Sequence, residues 1–305
     1  MSLILKYEYE NLESISQMSL GVFLGRRDIS RKALVDIKHR GGQLLVNGTQ
    51  ENVRYVLNAG DTITVIFPAE RVSASLVPVA MELDIVYEDE YLLVIDKPAG
   101  IPVIPSGRRA GASLANGIVA YYEQQKIAST VHFVNRLDAN TSGLLIVAKY
   151  RHIHHLVTRH AMKNGEFMKI QRWYYALVKH KLLNLTGTIN APIARSFEGN
   201  VRRCVRDDGK VAVTHYEVVA NVGKNTLVRC RLETGRTHQI RVHMAHIGHP
   251  LVGDWLYGDA DMGEFQMLHS YYLEFKHPIS GEFLRFETDV PERFGNVKCA
   301  LEERN

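Results

Sequence analysis

Cysteine is scarce in this chain of 305 residues: Cys204, Cys230 and Cys299 are the whole set, an odd number with no CxxC spacing. That argues against a disulfide framework and a cysteine-based zinc site, and it predicts free thiols. Long apolar runs are also missing, since no stretch approaches the roughly 18 residues that a membrane-spanning helix needs. The start, MSLILKYEYENLE, has neither the basic n-region nor the apolar h-region of a secretion signal, so the expected location is the cytoplasm. No GxGxxG follows a strand pattern, and GxxxxGK(S/T) and GxSxG do not occur, which argues against dinucleotide, P-loop and nucleophile-elbow chemistry. His215-Tyr216-Glu217 has the first half of a zinc-deaminase pattern, but no PCxxC follows, and the three residues read as alternating strand positions.

What is present is an ordinary globular composition, 46% hydrophobic and 23% charged, with a formal net charge of +4. The positive charge is clustered. Residues 26–40 carry six Lys/Arg against two Asp, and residues 151–172 carry Arg151, Arg159, Lys163, Lys169 and Arg172 against Glu166 alone. Such runs form solvated helix faces in many proteins; repeated in one chain, they point to a polyanionic partner.

The N-terminal part reads as a small module. Ser30 can cap a helix running to about Arg40, with Ala33, Leu34 and Ile37 on one face. Asn47-Gly48 then marks a tight hairpin, and TITVIF follows the turn Ala59-Gly60-Asp61 as a strand. Residues 68–83, with two prolines and many small side chains, read as a linker. Beyond Asp84 the chain offers short apolar strands in DIVYEDEYLLVIDKP, LLIVA, YYALV, THYEVVA, TLVRCRL and FLRFE, with helices near 112–125, 151–163 and 237–247. That pattern predicts an α+β fold on a mixed, mainly antiparallel sheet, without βαβ alternation. The expected division is 1–70 for the module, 71–83 for the linker and 84–305 for a larger domain.

Chemistry concentrates in four segments. In NRLDANTSGLLIVAK (135–149) a buried strand follows a loop whose short polar side chains can bond their own backbone, a rigid platform for the carboxylate of Asp138. The same loop also fits a plain Asx turn with Arg136 and Asp138 as a solvated pair. ETGRTHQIRVHMAHIGHPLVGD (233–254) crowds Arg236, His238, Gln239, Arg241 and His243 into eight residues, more donors than a core element holds without a ligand. Its histidines at 238, 243, 246 and 249 are interleaved with arginines that would repel a cation, so no metal site is expected. DKPAGIPV (96–103) and RWYYALV (172–178) complete the set.

Taken in order, these segments resemble the RluA-type RNA pseudouridine synthases: HRLDxxTSGLLLxAK, a preceding DKPxG strand, (K/R)xYxA, and TGRTHQIRxHxxxxGHPxxGD. GKVAVTHYEVV (209–219) and HPISGEFLRF (277–286) fall where that family has GKxAxTxYxV and HPxTG, so the resemblance spans roughly residues 84–290. SRKALVDIKHRGGQLLVNGTQENVRYVLNAGDTITV, within about 14–67, resembles an S4 RNA-binding domain, a common companion of the family.

The resemblance implies isomerisation of a uridine in RNA to pseudouridine on a pseudouridine synthase fold, with no cofactor and no metal. Asp138 is then the catalytic carboxylate, acting as nucleophile or as base. Arg241 pairs with it and keeps it ionised, while Tyr174 stacks on the uracil and is a candidate base for the C5 proton. Leu144 and Ile146 would form a water-poor floor. Arg136 would prop the space left by the flipped base. Arg236, His238, Gln239 and Lys97 would bind phosphates, and the N-terminal helix would present Arg31 and Lys32 to RNA. One departure stands out: Asn135 occupies the position where the family usually has His, with His132 three residues earlier. The implied partner is RNA, with large-subunit ribosomal RNA favoured over transfer RNA, and the protein is expected to act as a monomer. Two competing readings are a non-catalytic RNA-binding or ribosome-assembly protein and a glycoside hydrolase; the latter would need a second carboxylate, for which only Glu233 offers itself.

Overall fold

The computed structural model describes residues 2–10, 18–105, 111–163, 170–197, 201–258, 265–295 and 297. Cys299, Glu166 and Lys169 of the sequence reading lie outside them. Two sheets organise the chain. The first comprises β1 (Ile4–Glu8), β2 (Gln43–Val46), β3 (Thr49–Gln50) and β4 (Thr62–Ile66) in the order β1-β4-β2-β3, with helices α1 (Leu20–Arg26) and α2 (Arg31–His39). The capped helix expected after Ser30 is there, with the Ser30 hydroxyl accepting from the Ala33 N–H at 3.1 Å. Asn47 and Gly48 take the left-handed backbone of a tight hairpin, with φ of 51° and 82°. The Asn47 amide also donates to Asp61 at 2.7 Å, tying the hairpin tip to the next turn. β1 and α1 are absent from the sequence reading, although β1 alternates exposed and buried positions as a strand should.

The second sheet is larger. Its strands are β5 (Ile85–Glu88), β6 (Leu92–Lys97), β7 (His132–Phe133), β8 (Ser142–Ala148), β9 (Gln171–Lys179), β10 (Thr186–Asn190), β13 (Val213–Val222), β14 (Asn225–Leu232), β15 (Leu268–Lys276) and β16 (Phe283–Glu287). A short hairpin of β11 (Ile193–Arg195) and β12 (Arg203–Val205) stands apart. The main path runs β10-β13-β14-β9-β15-β8-β6-β5, with β16 added to β15 and β7 to β8. Every pairing in it is antiparallel except β15 with β8, so the mixed, mainly antiparallel sheet expected from the sequence is what forms.

Helices cover both faces. β8 is buried along all seven residues, and its side chains alternate between two cores. Leu144 and Ile146 pack with α4 (Arg151–Lys163) and the N-terminal sheet. Leu145 and Val147 pack with α3 (Leu114–Gln124), Tyr174 and α5 (Gln239–His246). The segment 68–84 lies against the larger domain: Glu70 is bonded to His132 at 2.6 Å and accepts from the Arg151 N–H at 2.7 Å. Cys204 and Cys230 are free thiols, as expected. Among the described residues no helix is long and apolar enough to cross a membrane.

The parallel contact fixes one glycine. Gly143 has φ of 111°, and a Cβ there would lie 2.3 Å from the Ser270 carbonyl oxygen on β15. Backbone strain and a backbone clash together put the expected cost of Gly143→Ala at about 3 kcal/mol or more. Urea denaturation tests this, and an unfolding midpoint equal to wild type would refute the close approach.

Candidate active site

The loop between β7 and β8 is held from several sides. The Asn135 side-chain oxygen accepts from the Ile146 N–H at 2.8 Å, and the Thr141 N–H donates back to the Asp138 carbonyl at 3.0 Å. The Gly100 N–H and the Lys97 ammonium both donate to the Ala139 carbonyl, at 2.9 and 3.0 Å. The end of the DKPAG strand is therefore a clamp on the RLD loop, which gives the co-occurrence of the two segments a physical cause.

Asp138 faces a cleft of about 510 Å³. Arg241, on the first turn of α5, donates to its carboxylate from one terminal nitrogen at 2.9 Å. The rest of that guanidinium grips Asp254 in two bonds, Nε to Oδ2 at 2.7 Å and Nη2 to Oδ1 at 2.8 Å. The Asp254 side chain is 0% exposed and that of Arg241 5%, whereas that of Asp138 is 24% exposed and opens to the cleft. Asp254 is in turn held by the Leu256 and Tyr257 N–H groups. Burial alone would lower the Arg241 pKa; its bonds to Asp254 and the Asp138 charge outweigh that and raise it. The guanidinium is a permanent cation aimed by one carboxylate at the other.

His238 caps α5 in the left-handed region, φ 59°, with Nε2 3.7 Å from the Asp138 carboxylate. Its Nδ1 meets the Tyr257 hydroxyl at 2.8 Å, and that hydroxyl accepts from the Arg203 N–H. Burial pushes the Tyr257 phenol up to about 12, so it keeps its proton. Burial also lowers the His238 pKa; Asp138 opposes this and Arg241 reinforces it. His238 thus lines the cleft beside the carboxylate.

Tyr174 on β9 lies against the cleft and is 5% exposed. Burial raises its pKa against the pull of Arg172 and Ser270. A phenol held neutral suits a ring that packs on a base and works against its use as the C5 base. Arg136 and Arg236 stand exposed at the cleft wall.

Several expectations need correction. Lys97 is 0% exposed and donates to three carbonyls, of Pro98, Ile101 and Ala139, so it braces the loop and does not meet a phosphate. Gln239 is 3% exposed and bonds Thr234, Val213, Thr214 and the Arg236 N–H, which makes it a lock on the TGR turn. Asn135, 6% exposed, also works inward, through Ile146. Leu144 and Ile146 face away from the cleft, whose apolar lining includes Val103, Phe133, Leu137, Leu232, Ile240 and Leu268. Arg31 and Lys32 need no correction: they stand exposed on α2, the N-terminal helix expected to present them. His243 bonds the Thr214 hydroxyl and the Ala191 carbonyl, and His249 bonds the Lys179 carbonyl, so the histidines serve separate structural contacts. Asp254 and Tyr257 are the functional residues that sequence reasoning missed; the only sign of Asp254 is its place at the end of the 233–254 segment.

Comparison with known proteins agrees with this geometry. The RNA pseudouridylate synthase family model matches residues 91–246. The chain is 44% identical over 277 residues to the uncharacterized RNA pseudouridine synthase YjbO of Bacillus subtilis (strain 168), covering 90% of this chain and 96% of that one. It is 36% identical over 279 residues to ribosomal large subunit pseudouridine synthase D of Xanthomonas campestris pv. campestris, covering 87% and 82%. Among solved structures, human RNA pseudouridylate synthase domain containing 1 superposes with a TM-score of 0.57 at 27% identity, over 71% of this chain and 86% of that one. With a clamped, cleft-facing carboxylate at its centre, the chain belongs to the RNA pseudouridylate synthase family, an isomerase that turns uridine in RNA into pseudouridine.

Proposed function

We propose that Asp138 is the catalytic carboxylate and that the substrate is a uridine in large-subunit ribosomal RNA. The observation that carries the first part is the Asp254–Arg241–Asp138 chain, in which a buried ion pair holds one carboxylate oriented and open to a cleft of nucleoside size. Asp138 answers the breaking of the N-glycosidic bond, either by bonding C1′ or by taking a sugar proton. Tyr174 packs on the uracil, and the apolar wall keeps the cleaved base in place. A uridine in a helix hides its glycosidic bond, so the base is flipped out, and exposed Arg136 occupies the gap. The choice of ribosomal over transfer RNA is supported by the name of the Xanthomonas relative.

The N-terminal sheet with α1 and α2 is read as an S4-like RNA-binding domain of a monomer acting in the cytoplasm. Its support is a helix with Arg31, Lys32 and Lys38 exposed and Arg40 exposed at its C-cap. An Arg31→Ala/Lys32→Ala double variant is expected to bind RNA more weakly, with a flatter dependence of log Kd on log salt, by about 0.7–0.9 for each phosphate that is no longer neutralised. An unchanged slope would remove α2 from the RNA interface.

The substrate is tested by incubating purified protein with RNA from a strain lacking the gene. Mass spectrometry of the large-subunit ribosomal and transfer RNA fractions follows. New pseudouridine in the ribosomal fraction is the expected result; new pseudouridine in transfer RNA alone overturns that choice.

A further inference from the structure

Breaking a uridine's N-glycosidic bond sends both bonding electrons to N1, so the base leaves as an anion spread over N1 and its carbonyl oxygens. Whatever Asp138 does at the sugar, that charge needs a cation in the cleft. Among the described residues four arginines line it: Arg136, Arg172, Arg236 and Arg241. Arg241 lies between the carboxylates of Asp138 and Asp254, leaving that trio with a net negative charge. His238 adds none, being held below its usual range by burial and Arg241 against the pull of Asp138. Arg136 and Arg236 are exposed, and Arg236 donates from Nε to the Val211 carbonyl.

Arg172 is different. It is half-buried on β9, two residues before Tyr174, so both side chains leave the strand on the same face. Among the described residues its buried Nε has no hydrogen-bond partner, carboxylates included. The opposite wall leaves room for it: a Cβ at Gly235 would lie 3.2 Å from its Nη1. It is close enough to the Tyr174 phenol to favour the ionised form of that group. A half-buried guanidinium whose Nε has no partner among the described residues, beside the ring that packs on uracil, is placed to receive an anion.

We infer that Arg172 is a catalytic residue that stabilises the uracil anion released during the isomerisation. The inference rests on the assignment of Asp138 and Tyr174 above. The electrons balance throughout. N1–C1′ breaks towards N1, and the sugar charge is met by Asp138. C5 of the rotated anion then attacks C1′, Asp138 is released unchanged, and the C5 proton ends on N1. Arg172 neither gives nor takes a proton; its charge is worth most while the base is free, so it acts on the rate and not on the affinity for RNA.

The test is single-turnover kinetics of wild type, Arg172→Lys, Arg172→Met, Arg172→Gln and Asp138→Asn on one RNA containing either uridine or 5-fluorouridine, with RNA Kd measured alongside. Fluorine at C5 withdraws charge and makes the base a better leaving group. On uridine RNA, Arg172→Met and Arg172→Gln are expected to lose about 10²-fold or more in rate with Kd essentially unchanged. Arg172→Lys should recover much of that loss. The loss in glycosidic cleavage should shrink on 5-fluorouridine RNA. Wild-type rates in the Met and Gln variants overturn the inference, as does a loss confined to Kd, which marks Arg172 as a phosphate contact. An equal loss on both substrates also overturns it. Activity surviving in Asp138→Asn defeats the assignment beneath, and is separable because the Arg172 series is read on its own.

Discussion

Asp138→Asn is expected to lower the single-turnover rate of pseudouridine formation by about 10³-fold or more while leaving the fold and RNA affinity close to wild type. The amide keeps the size of the side chain and can still receive the Arg241 N–H that reaches it at 2.9 Å. What it loses is the negative charge that must meet the electron-poor sugar carbon, or take a proton from it. The side chain is 24% exposed, so the substitution strands no buried group, and stability should change by about 1 kcal/mol or less. Release of tritium from RNA carrying 5-tritiated uridine reads the reaction directly, because the C5 hydrogen leaves only when the new bond forms. Release by Asp138→Asn within tenfold of wild type would remove the carboxylate from the chemistry.

Arg241→Met is expected to fail differently, in stability as well as in rate. Asp254 is 0% exposed on its side chain and receives two bonds from this guanidinium, so the substitution leaves an uncompensated charge in the interior. Breaking a buried pair from one side destabilises by about 3–5 kcal/mol. A double variant, Arg241→Met with Asp254→Leu, removes both charges and should recover a large part of that stability without recovering activity. Urea denaturation of the set decides the point. A single Arg241→Met variant as stable as wild type would show that Asp254 gains no stability from the pair, and would break the claim that Asp254 fixes the direction of Arg241.

Much of the fold and site is legible in the residues, and the illegible parts have physical reasons. The apolar run of β8 and the Asn47-Gly48 turn announce themselves, because one depends on composition and the other on a backbone that only a few residues adopt. Asp138 and Arg241 are 103 positions apart and are joined only through the resemblance to a family; nothing local pairs them. Which residues of β8 face the cleft is unreadable, since a strand buried on both faces has no polar alternation to mark its parity, and Leu144 and Ile146 face the other core. Lys97 misleads because a lysine in a chemical motif looks like an RNA contact; only the fold brings three carbonyls around its ammonium. Asp254 carries no signal of its own, as its role exists only once α5 and the loop after it meet.

As proposed, one carboxylate, Asp138, is tied to one modification in cellular RNA. The most direct test is pseudouridine mapping by carbodiimide-dependent primer extension on ribosomal and transfer RNA from a deletion strain complemented with wild type or with Asp138→Asn. A stop in large-subunit ribosomal RNA that returns only with the wild-type gene is the expected result. The same stop returning with Asp138→Asn would contradict it.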